Sequence, residues 1–485
     1  MACEKPSLRS HRYLRITLSL ALITACVSVI RVQGAETKSV TARSSKIHAP
    51  TALDRYVARP DTNFSWSVVS STRGSNYTAS VLKLTSQVWL TTNEVDRPLW
   101  QHWLTIIKPD DAKPGTGFLF ITGGSSKGGP PKKPEDNIVQ TALETHSVVS
   151  ELKNVPSQPL IFKGEEKGRG EDELIAYTWD KFLRTGDEKW PARLPMTKSA
   201  VRAMDAVTAF CAGPEGGSIR VDQFVVAGGS KRGWTTWTTA IVDNRVVAIV
   251  PIVIDMLNIV PSFQHHWEAY GFWAPAVGDY VAMGIMNWTG TPEYAKLMKI
   301  EEPYEYRDRL TMPKLMVNAC GDQFFLPDSS QFYFKDLPGT KYLRYVPNAD
   351  HSLRGSDAWQ SVTAFYNGIL KQSKLPRFTW TKEADGSLRV KTVDHPSSVK
   401  LWQATNEKAR DFRLEMIGKA WQGSDLEGSG KGDYVGRVSK PAAGWTAFMV
   451  ELTYPSDGPF PYKFTTEISV VPDTIVHKFE MPKHP

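Results

Sequence analysis

A serine stands where a buried strand would meet a helix. The apolar run 224–227 is short enough for a buried parallel strand, and two glycines and then Ser230 follow it. A segment suited to a helix, 234–242, begins a few residues later. This order is typical of a nucleophile elbow, a tight strand-to-helix turn that holds a serine hydroxyl above the sheet. The usual later glycine comes one position late, at Gly233, so an ordinary strand-to-helix loop is the alternative.

An acid and a histidine follow two later strands, in the chain order that serine hydrolases of this type use. The predicted strand 314–317 leads to Asp322, and the predicted strand 342–346 leads to His351. One connection between parallel strands accounts for the interval between the two residues. The sequence therefore predicts that Ser230 is the nucleophile, that His351 takes its proton and that Asp322 orients the imidazole. A satisfied surface histidine is the alternative for His351.

Three other aspartates lie near predicted strand ends. Asp255 follows the apolar run 246–254 and is the rival candidate for the catalytic acid. Asp328 precedes a predicted helix and is expected to be its N-terminal cap. Asp350 is expected to be an ordinary loop carboxylate beside the histidine.

An oxyanion hole needs the backbone N–H after the nucleophile and a second N–H from an early strand-end loop. Lys231 supplies the first of these groups. Gly124 follows the predicted strand 118–122 and suits the second, because small residues let the backbone approach a carbonyl oxygen. The Lys231 ammonium is a further candidate oxyanion contact, with a solvated surface lysine as the alternative.

The sequence supports neither a metal nor an organic cofactor. His265 and His266 are adjacent, so on a helix they diverge by about 100° and do not face one metal from the same side. The chain has no dinucleotide-binding glycine loop and no Walker A sequence. The net charge is +7, and more than half of it lies in residues 1–34, so no nucleic-acid partner is expected.

Residues 1–34 predict an export signal, with a basic start, an apolar stretch at 16–30 and small residues for cleavage. The stretch is short and interrupted by hydroxyl residues, so no stable membrane span is expected. The predicted location is therefore secreted or periplasmic. A lipid anchor at Cys26 is the alternative, because its surroundings are similar to a bacterial lipobox. Cys211 and Cys320 remain in the mature chain, either paired or as two buried thiols.

The rest of the chain has to position these groups. Residues 35–60 are polar and are expected to form a flexible lead-in. Between 64 and 108, β-rich runs and turn residues indicate an antiparallel meander. Strands are then predicted at 118–122, 159–162, 224–227, 246–254, 314–317 and 342–346, and helices at 137–152, 173–183, 198–210, 234–242, 329–337 and 358–370. This alternation predicts an α/β domain over 61–374, with a mostly parallel sheet and helices on both faces.

Two regions depart from the alternation. An aromatic-rich segment at about 256–312 is predicted to be a small helical subdomain with its own core, a lid over the ligand-binding edge of the sheet, or both. As a lid it would present Trp267 and Trp273 to the substrate. Residues 375–485 alternate apolar and polar side chains between turns, which indicates an all-β sandwich-like domain that supports or binds.

Several segments of the chain resemble the PhoPQ-activated pathogenicity-related protein family. They are FITGG at 120–124, AYTWD at 176–180, GGSKRGWT at 228–235, GDQFFLPDSS at 321–330 and NADHSL at 348–353. The resemblance extends over about 55–475 and implies a secreted or periplasmic α/β-hydrolase-fold protein with a C-terminal β-domain. The segment around Ser230 is also similar to the elbow of glucuronoyl esterases. That similarity implies that Lys231 stands in place of an oxyanion-contacting arginine, and Asp255 near an alternative acid position.

Two functions follow from these observations. The first is a secreted serine hydrolase that cleaves an ester or peptide bond of a small-molecule or peptide substrate. The second is an extracellular binding or signalling protein that keeps the fold with little or no turnover.

Overall fold

The computed structural model of the protein describes residues 49–481. The predicted export signal at 1–34, with Cys26, and the part of the predicted lead-in before residue 49 lie outside these residues. Between residues 49 and 481, no helix is long and apolar enough to cross a membrane. Cys211 and Cys320 are two separate buried thiols, which decides the alternative that the sequence left open.

Helices and strands alternate through most of the described chain. The helices are α1 Ala52–Ala58, α2 Asp136–Thr145, α3 Glu171–Thr185, α4 Arg193–Ala212, α5 Lys231–Val242, α6 Ile259–Tyr270, α7 Gly278–Ala282, α8 Pro292–Glu301, α9 Ala358–Leu370 and α10 Leu414–Ile417. The strands are β1 Ser65–Gly74, β2 Tyr77–Val88, β3 Leu99–Pro109, β4 Gly115–Ile121, β5 Val149–Lys153, β6 Val221–Gly229, β7 Val246–Ile252, β8 Lys314–Ala319, β9 Lys341–Val346, β10 Phe378–Lys382, β11 Leu388–Thr392, β12 Ser398–Asn406, β13 Gln422–Asp425, β14 Asp433–Gly436, β15 Trp445–Tyr454, β16 Tyr462–Thr465 and β17 Ser469–Val471.

The first helix lies in the segment that we expected to be a flexible lead-in. In α1 the Thr51 hydroxyl accepts the backbone N–H of Asp54, and the Asp54 carboxylate accepts the backbone N–H of Thr51. This reciprocal capping starts the helix. Leu53 and Tyr56 are buried in the main core. The prediction was therefore wrong for this part, because two apolar side chains in a polar stretch are enough to dock one short helix.

A large central sheet carries the fold. Across it the strands run β1-β2-β3-β5-β4-β6-β7-β8-β9, followed by C-terminal strands. The first three are the predicted antiparallel meander, and β5, β4, β6, β7, β8 and β9 are parallel neighbours. This arrangement confirms the predicted mostly parallel α/β sheet.

Strand β6 shows why its buried residues 224–227 are all apolar. Phe224 and Val226 face the core that α4 and α5 cover, whereas Val225 and Ala227 face the core that α2 and α9 cover. Successive strand residues point to opposite faces, so a strand with helices on both sides needs apolar side chains at every position.

Three predicted elements differ from the structure. The predicted helix 137–152 is α2 followed by β5, because His146 adopts a left-handed conformation (φ 50°) that ends the helix. The predicted strand 159–162 makes only isolated bridges. The predicted helix 329–337 consists of the 3-10 turns Ser329–Phe332 and Phe334–Asp336. In the first case apolar residues continue across the helix end, so periodicity alone does not reveal the break.

The aromatic-rich segment contains α6, α7, α8 and several 3-10 turns. Side chains from it, such as Leu297 and Met298, join the same core as α4 and α5. The segment is therefore helical, as predicted, but most of its buried side chains join the main core instead of forming the separate core that we expected.

The C-terminal region is mostly β, with the short helix α10 between β12 and β13, and it contributes two sheets. Strands β10, β11 and β14 form a separate three-stranded sheet, whose Leu388 and Val390 share a core with Leu401 and Val450 of the other sheet. That other sheet is continuous with the central one, because β16 pairs with β9 at Thr465. The region therefore has sandwich-like packing, but one of its layers extends the sheet of the α/β part.

The C-terminal region also contacts the loop after β8. The Leu414 backbone N–H donates to the carbonyl of Gly321 at 3.0 Å, and a side-chain carbon on Gly321 would lie 2.8 Å from the Leu414 nitrogen. The Arg410 guanidinium donates to the Asp328 carboxylate at 2.6 Å. This loop, which carries Asp322, is therefore held partly by residues that come almost a hundred positions later.

We expect deletion of 376–485 to prevent stable folding, because it exposes the edge of β9 and leaves the buried Asp328 without Arg410. Loss of one partner from a buried ion pair alone costs about 3–5 kcal/mol. Deletion of 472–485 is the control, since it keeps β17 and both contacts. Soluble yield and melting temperature measure the two effects. If the longer deletion melts at the temperature of the full chain, the C-terminal region does not support the α/β part.

Candidate active site

Ser230 occupies the turn between β6 and α5 with φ 56° and ψ −124°. A positive φ at a residue with a side chain is strained and persists only where the surroundings enforce it. The Ser230 backbone N–H donates to the Ile252 carbonyl at 2.8 Å. A side-chain carbon added to Gly228 would lie 2.6 Å from the Arg232 carbonyl oxygen. One added to Gly233 would lie 2.8 Å from the Ile254 side chain. The late glycine is therefore required by close packing of α5 on the strand beside it.

Asp322 and His351 meet at the ends of β8 and β9. The two Asp322 oxygens lie 2.8 and 3.0 Å from Nδ1 of His351. The same carboxylate accepts the backbone N–H of Phe324 at 2.8 Å, and the His351 backbone N–H donates to Gln323 at 3.0 Å. Asp322 is buried and His351 is partly exposed. Backbone and side-chain contacts thus fix both members of the pair.

A small cavity lies between the serine and the loop that carries Asp322. Phe324 and Phe325 line it together with Ser230, and the Phe324 ring centroid lies 4.4 Å from that of His351. In the part of the chain that the structure describes, no hydrogen bond joins the Ser230 hydroxyl to His351. Such hydrogen bonds in enzymes often tighten only when substrate binds.

The cavity is narrow and mostly apolar. Its volume is about 30 Å³. The lining residues are Asp172, Trp179, Arg193, Ser230, Lys231, Trp234, Ile254, Met256, Phe263, Val277, Tyr280, Phe324 and Phe325. The predicted substrate contacts Trp267 and Trp273 are not among them. Their rings pack together at 5.2 Å, and Trp273 packs against Phe263 at 5.7 Å, so the tryptophans form a layer behind the cavity wall.

Asp255 contacts neither Ser230 nor His351. The hydroxyls of Tyr333 and Tyr345 donate to its two oxygens. Its pKa is raised to about 7, chiefly by burial, since the two tyrosine hydrogen bonds act in the opposite direction. Of the two candidate acids, Asp322 is the one that the structure brings to the histidine.

Asp328 differs from its predicted role as a helix cap. Its side chain makes no cap hydrogen bond. It lies 3.0 Å from Nε2 of His265 and accepts a hydrogen bond from Arg410. Burial alone would raise the pKa of Asp328, but the charges of Arg410 and His265 hold it well below its ordinary value. The carboxylate therefore ties α6 to the C-terminal region. Asp350 bonds Ser352 in its own loop, as expected.

The Lys231 side chain is not solvated, because it is buried in an ion pair. Its ammonium is buried and lies 2.8 Å from Glu171 and 3.0 Å from Asp172. Arg232 donates two hydrogen bonds of 2.7 Å to Glu171. Although burial alone would raise the pKa of Glu171, Arg232 and Lys231 hold it well below its ordinary value. The two cations and two acids therefore balance one another beside the elbow.

Gly124 lies in a loop that this ionic cluster supports. Gly124 has φ +150°, and a side-chain carbon there would lie 3.1 Å from the Asn154 nitrogen. Its carbonyl accepts a hydrogen bond from Gln158. The neighbouring Gly123 packs on Arg232, whose guanidinium would lie 2.6 Å from an added carbon. The loop that carries Gly124 thus packs against the residue two positions after the serine.

Three polar groups near the serine, Glu171, Asp172 and Arg193, were not apparent from the sequence. Glu171 and Asp172 belong to an acidic run that is most simply the start of α3, and their partners lie some sixty residues away. Arg193 opens α4 without any motif. Within residues 49–481, no three or more His, Cys, Asp or Glu side chains are arranged to hold a metal ion. The adjacent histidines have different partners, since the nitrogen of His266 accepts the Ala274 N–H.

The strand order, the elbow and the strand-end residues define an α/β-hydrolase fold. A sequence model of the PhoPQ-activated pathogenicity-related protein family matches residues 53–413. The chain is 39% identical over 456 residues to Autocrine proliferation repressor protein A of Dictyostelium discoideum, covering 88% of this chain and 91% of that protein. The chain therefore belongs to the PhoPQ-activated pathogenicity-related protein family, which confirms the resemblance seen in the sequence.

More distant likenesses exist among solved structures. An acetyl xylan esterase from Paenibacillus sp. R4 is 13% identical with a TM-score of 0.46, covering 66% of this chain and 92% of that one. A glucuronoyl esterase from Solibacter usitatus is 14% identical with a TM-score of 0.37, covering 66% and 90%. These likenesses are too distant to indicate a substrate.

The environment of Asp255 predicts a pH-dependent stability. The folded state keeps its proton up to about pH 7, whereas the unfolded state releases it near pH 4. As pH rises from about 4 to 7, the free energy of unfolding of wild type should therefore fall relative to that of Asp255→Asn, by no more than about 4 kcal/mol. Urea unfolding of both proteins at several pH values measures this difference.

Asp350→Asn is the control, because the Ser352 hydrogen bond lowers the pKa of Asp350. For this pair wild type should gain stability relative to the variant as pH rises, and the change should be small. A constant difference between wild type and Asp255→Asn over the range would contradict the buried neutral carboxyl.

Proposed function

We propose that the protein is a secreted serine hydrolase that cleaves an ester or peptide bond. The observation that carries the proposal is the hydrogen-bonded Asp322–His351 pair. Phe324 and Phe325, which follow Asp322, line one cavity together with Ser230, and Ser230 is held at a strained turn. A serine hydroxyl is a weak nucleophile by itself and needs a positioned base. Secretion is supported by the export signal predicted from residues 1–34.

The proposed mechanism follows from the two ring nitrogens. Nδ1 of His351 faces the Asp322 carboxylate and carries the proton in the neutral imidazole, so Nε2 is free to accept the proton of Ser230. The serine oxygen then bonds to the substrate carbonyl carbon. The imidazolium gives its proton to the leaving group as the bond between that group and the carbonyl carbon breaks. Water then gives a proton to His351 and bonds to the acyl carbon, and the proton passes to the Ser230 oxygen as the acid product leaves.

The backbone N–H groups of Lys231 and Gly124 are the proposed oxyanion donors. The first opens α5, where the N–H groups have no partner inside the helix and the helix dipole favours negative charge. The Lys231 ammonium is assigned a positioning role, because Glu171 and Asp172 already engage it.

A second candidate function is extracellular signalling. The name of the Dictyostelium relative describes a repressor of proliferation that acts on the cells that release it. This chain would then serve as a secreted signal, and the fold would present a binding surface. Turnover by the serine is the property that separates the two candidates.

We expect a fluorophosphonate probe to label Ser230 covalently. Labelling requires an activated serine and a preorganised oxyanion hole, and it needs no knowledge of the substrate. Mass spectrometry should find one modified peptide, absent in Ser230→Ala and strongly reduced in His351→Ala. Ser199, a buried serine bonded within the core, is the control position, and Ser199→Ala should still be labelled. A folded wild-type protein that takes up no probe would favour the signalling candidate.

The choice of acid predicts a second result. Asp322→Asn should lower kcat/KM for a small ester by about 10³–10⁴-fold, because the imidazole loses the group that fixes its tautomer. Asp255→Asn, which removes an equally buried carboxylate, should lower it by less than about tenfold. Melting curves of both variants show that they are folded. The reverse ranking would assign the acid to Asp255.

A further inference from the structure

The cavity beside Ser230 contains an arginine that the proposed mechanism does not use. Arg193 lines this cavity, and its side chain is only 4% exposed. Its Nε and Nη1 are buried and have no hydrogen-bond partner in the described chain. Buried donors without an acceptor are rare, because each forfeits its hydrogen bonds to water. These two donors therefore favour an acceptor that arrives with the ligand.

Arg193 is held in one position by aromatic rings and by a backbone hydrogen bond to helix α8. Its guanidinium carbon lies 4.0 Å from the Trp234 ring centre and 5.9 Å from that of Trp179. The Arg193 backbone N–H, at the start of α4, donates to Glu301. A guanidinium stacked on indole rings presents its N–H groups in a fixed plane, so little side-chain entropy is lost when an acceptor binds.

The charge of Arg193 is incompletely balanced. Glu301 is the near acid, but its Oε2 lies 3.4 Å from Nε of Arg193 and accepts the indole N–H of Trp179. Burial raises the pKa of Glu301 to about 7, so near neutral pH this carboxyl is partly protonated. Asp172, the acid that lines the cavity, is engaged by Lys231 and by the Tyr280 hydroxyl. A positive charge therefore remains next to the serine.

We propose that Arg193 binds a carboxylate of the substrate and makes the protein selective for anionic esters or amides. This inference rests on the proposed hydrolase function, since Ser230 defines the reacting bond. A guanidinium matches the two oxygens of a carboxylate with paired N–H groups. The cavity has room for about two water molecules, which suits a compact anionic group on a short chain. The aromatic walls contact the methylene groups between that carboxylate and the scissile bond.

The first test compares substrates that differ in one charge. Monomethyl succinate, glutarate and adipate are hydrolysed in parallel with uncharged methyl esters of matched length, and the methanol released is measured. Wild type should prefer the best monoester at least tenfold in kcat/KM over its uncharged match. Arg193→Met should lose this preference, and Arg193→Lys should retain only part of it. A wild-type protein that prefers the uncharged esters would overturn the proposal.

The second test does not depend on turnover. Butyrate and butyramide are titrated into the Ser230→Ala protein, and binding is followed by calorimetry. Butyrate should bind and butyramide should bind at least tenfold more weakly. Ser230→Ala combined with Arg193→Met should bind neither. Equal binding of acid and amide would show that Arg193 does not select a carboxylate.

Glu301→Gln keeps the test decisive if Arg193→Met does not fold. This substitution removes the partial negative charge beside Arg193 and keeps the size of the side chain. Butyrate should therefore bind the Ser230→Ala protein more tightly when it also carries Glu301→Gln. An unchanged or weaker affinity would contradict the charge argument. The two proposals also fail differently: absence of fluorophosphonate labelling counts against the hydrolase, whereas labelling without carboxylate preference counts only against Arg193.

Discussion

The ionic cluster at the start of α3 and α5 is the contact on which the candidate site depends. Arg232 donates to Glu171 through two nitrogens, and its Nε donates to the Val155 carbonyl. Its guanidinium also packs on Gly123, in the loop proposed to supply the second oxyanion donor. One side chain thereby connects the elbow, the start of α3 and the oxyanion loop. Glu171 and Ser230 both have positive φ, and the surrounding bonds enforce these strained conformations.

A second buried cluster supports the acid side of the site. Asp328 joins His265 of α6 to Arg410 of the C-terminal region, and the same loop is held by Leu414 at Gly321. Asp322 lies in this loop. Replacing a buried ion pair with apolar groups is often neutral for stability, whereas removing one partner is costly. The two clusters therefore position loops more than they stabilise the fold.

Charge balance separates the roles of the four cationic side chains near the serine and the acid. Lys231, Arg232 and Arg410 each have a carboxylate within 3 Å, so their charges are committed to structure. The nearest acid to Arg193 is Glu301, which lies 3.4 Å away and is partly protonated, and Arg193 lines the cavity beside Ser230. An arginine thus holds two parts of the fold together where carboxylate acceptors lie within 3 Å, as for Arg232 and Arg410. It is available to contact a ligand where they do not, as for Arg193.

The sequence by itself determined the α/β alternation, the serine at a strand-to-helix turn and the acid and histidine at later strand ends. These are local patterns: a buried strand must be apolar at each position, and a tight turn needs glycines next to it. The break after α2 escaped prediction because apolar residues such as Val148 and Val149 continue across it. The helix α1 escaped because its stability comes from docking, not from its own composition.

Only the tertiary structure decided which acid meets which partner. Asp255, Asp322 and Asp328 all follow or flank strand ends, yet they contact two tyrosines, the histidine His351 and an arginine–histidine pair, respectively. The partner of Lys231 and the continuity of β16 with β9 likewise join residues far apart in the chain. A local pattern fixes where a side chain stands on its own element. Its charge, hydrogen bonds and burial depend on elements that other parts of the sequence bring beside it.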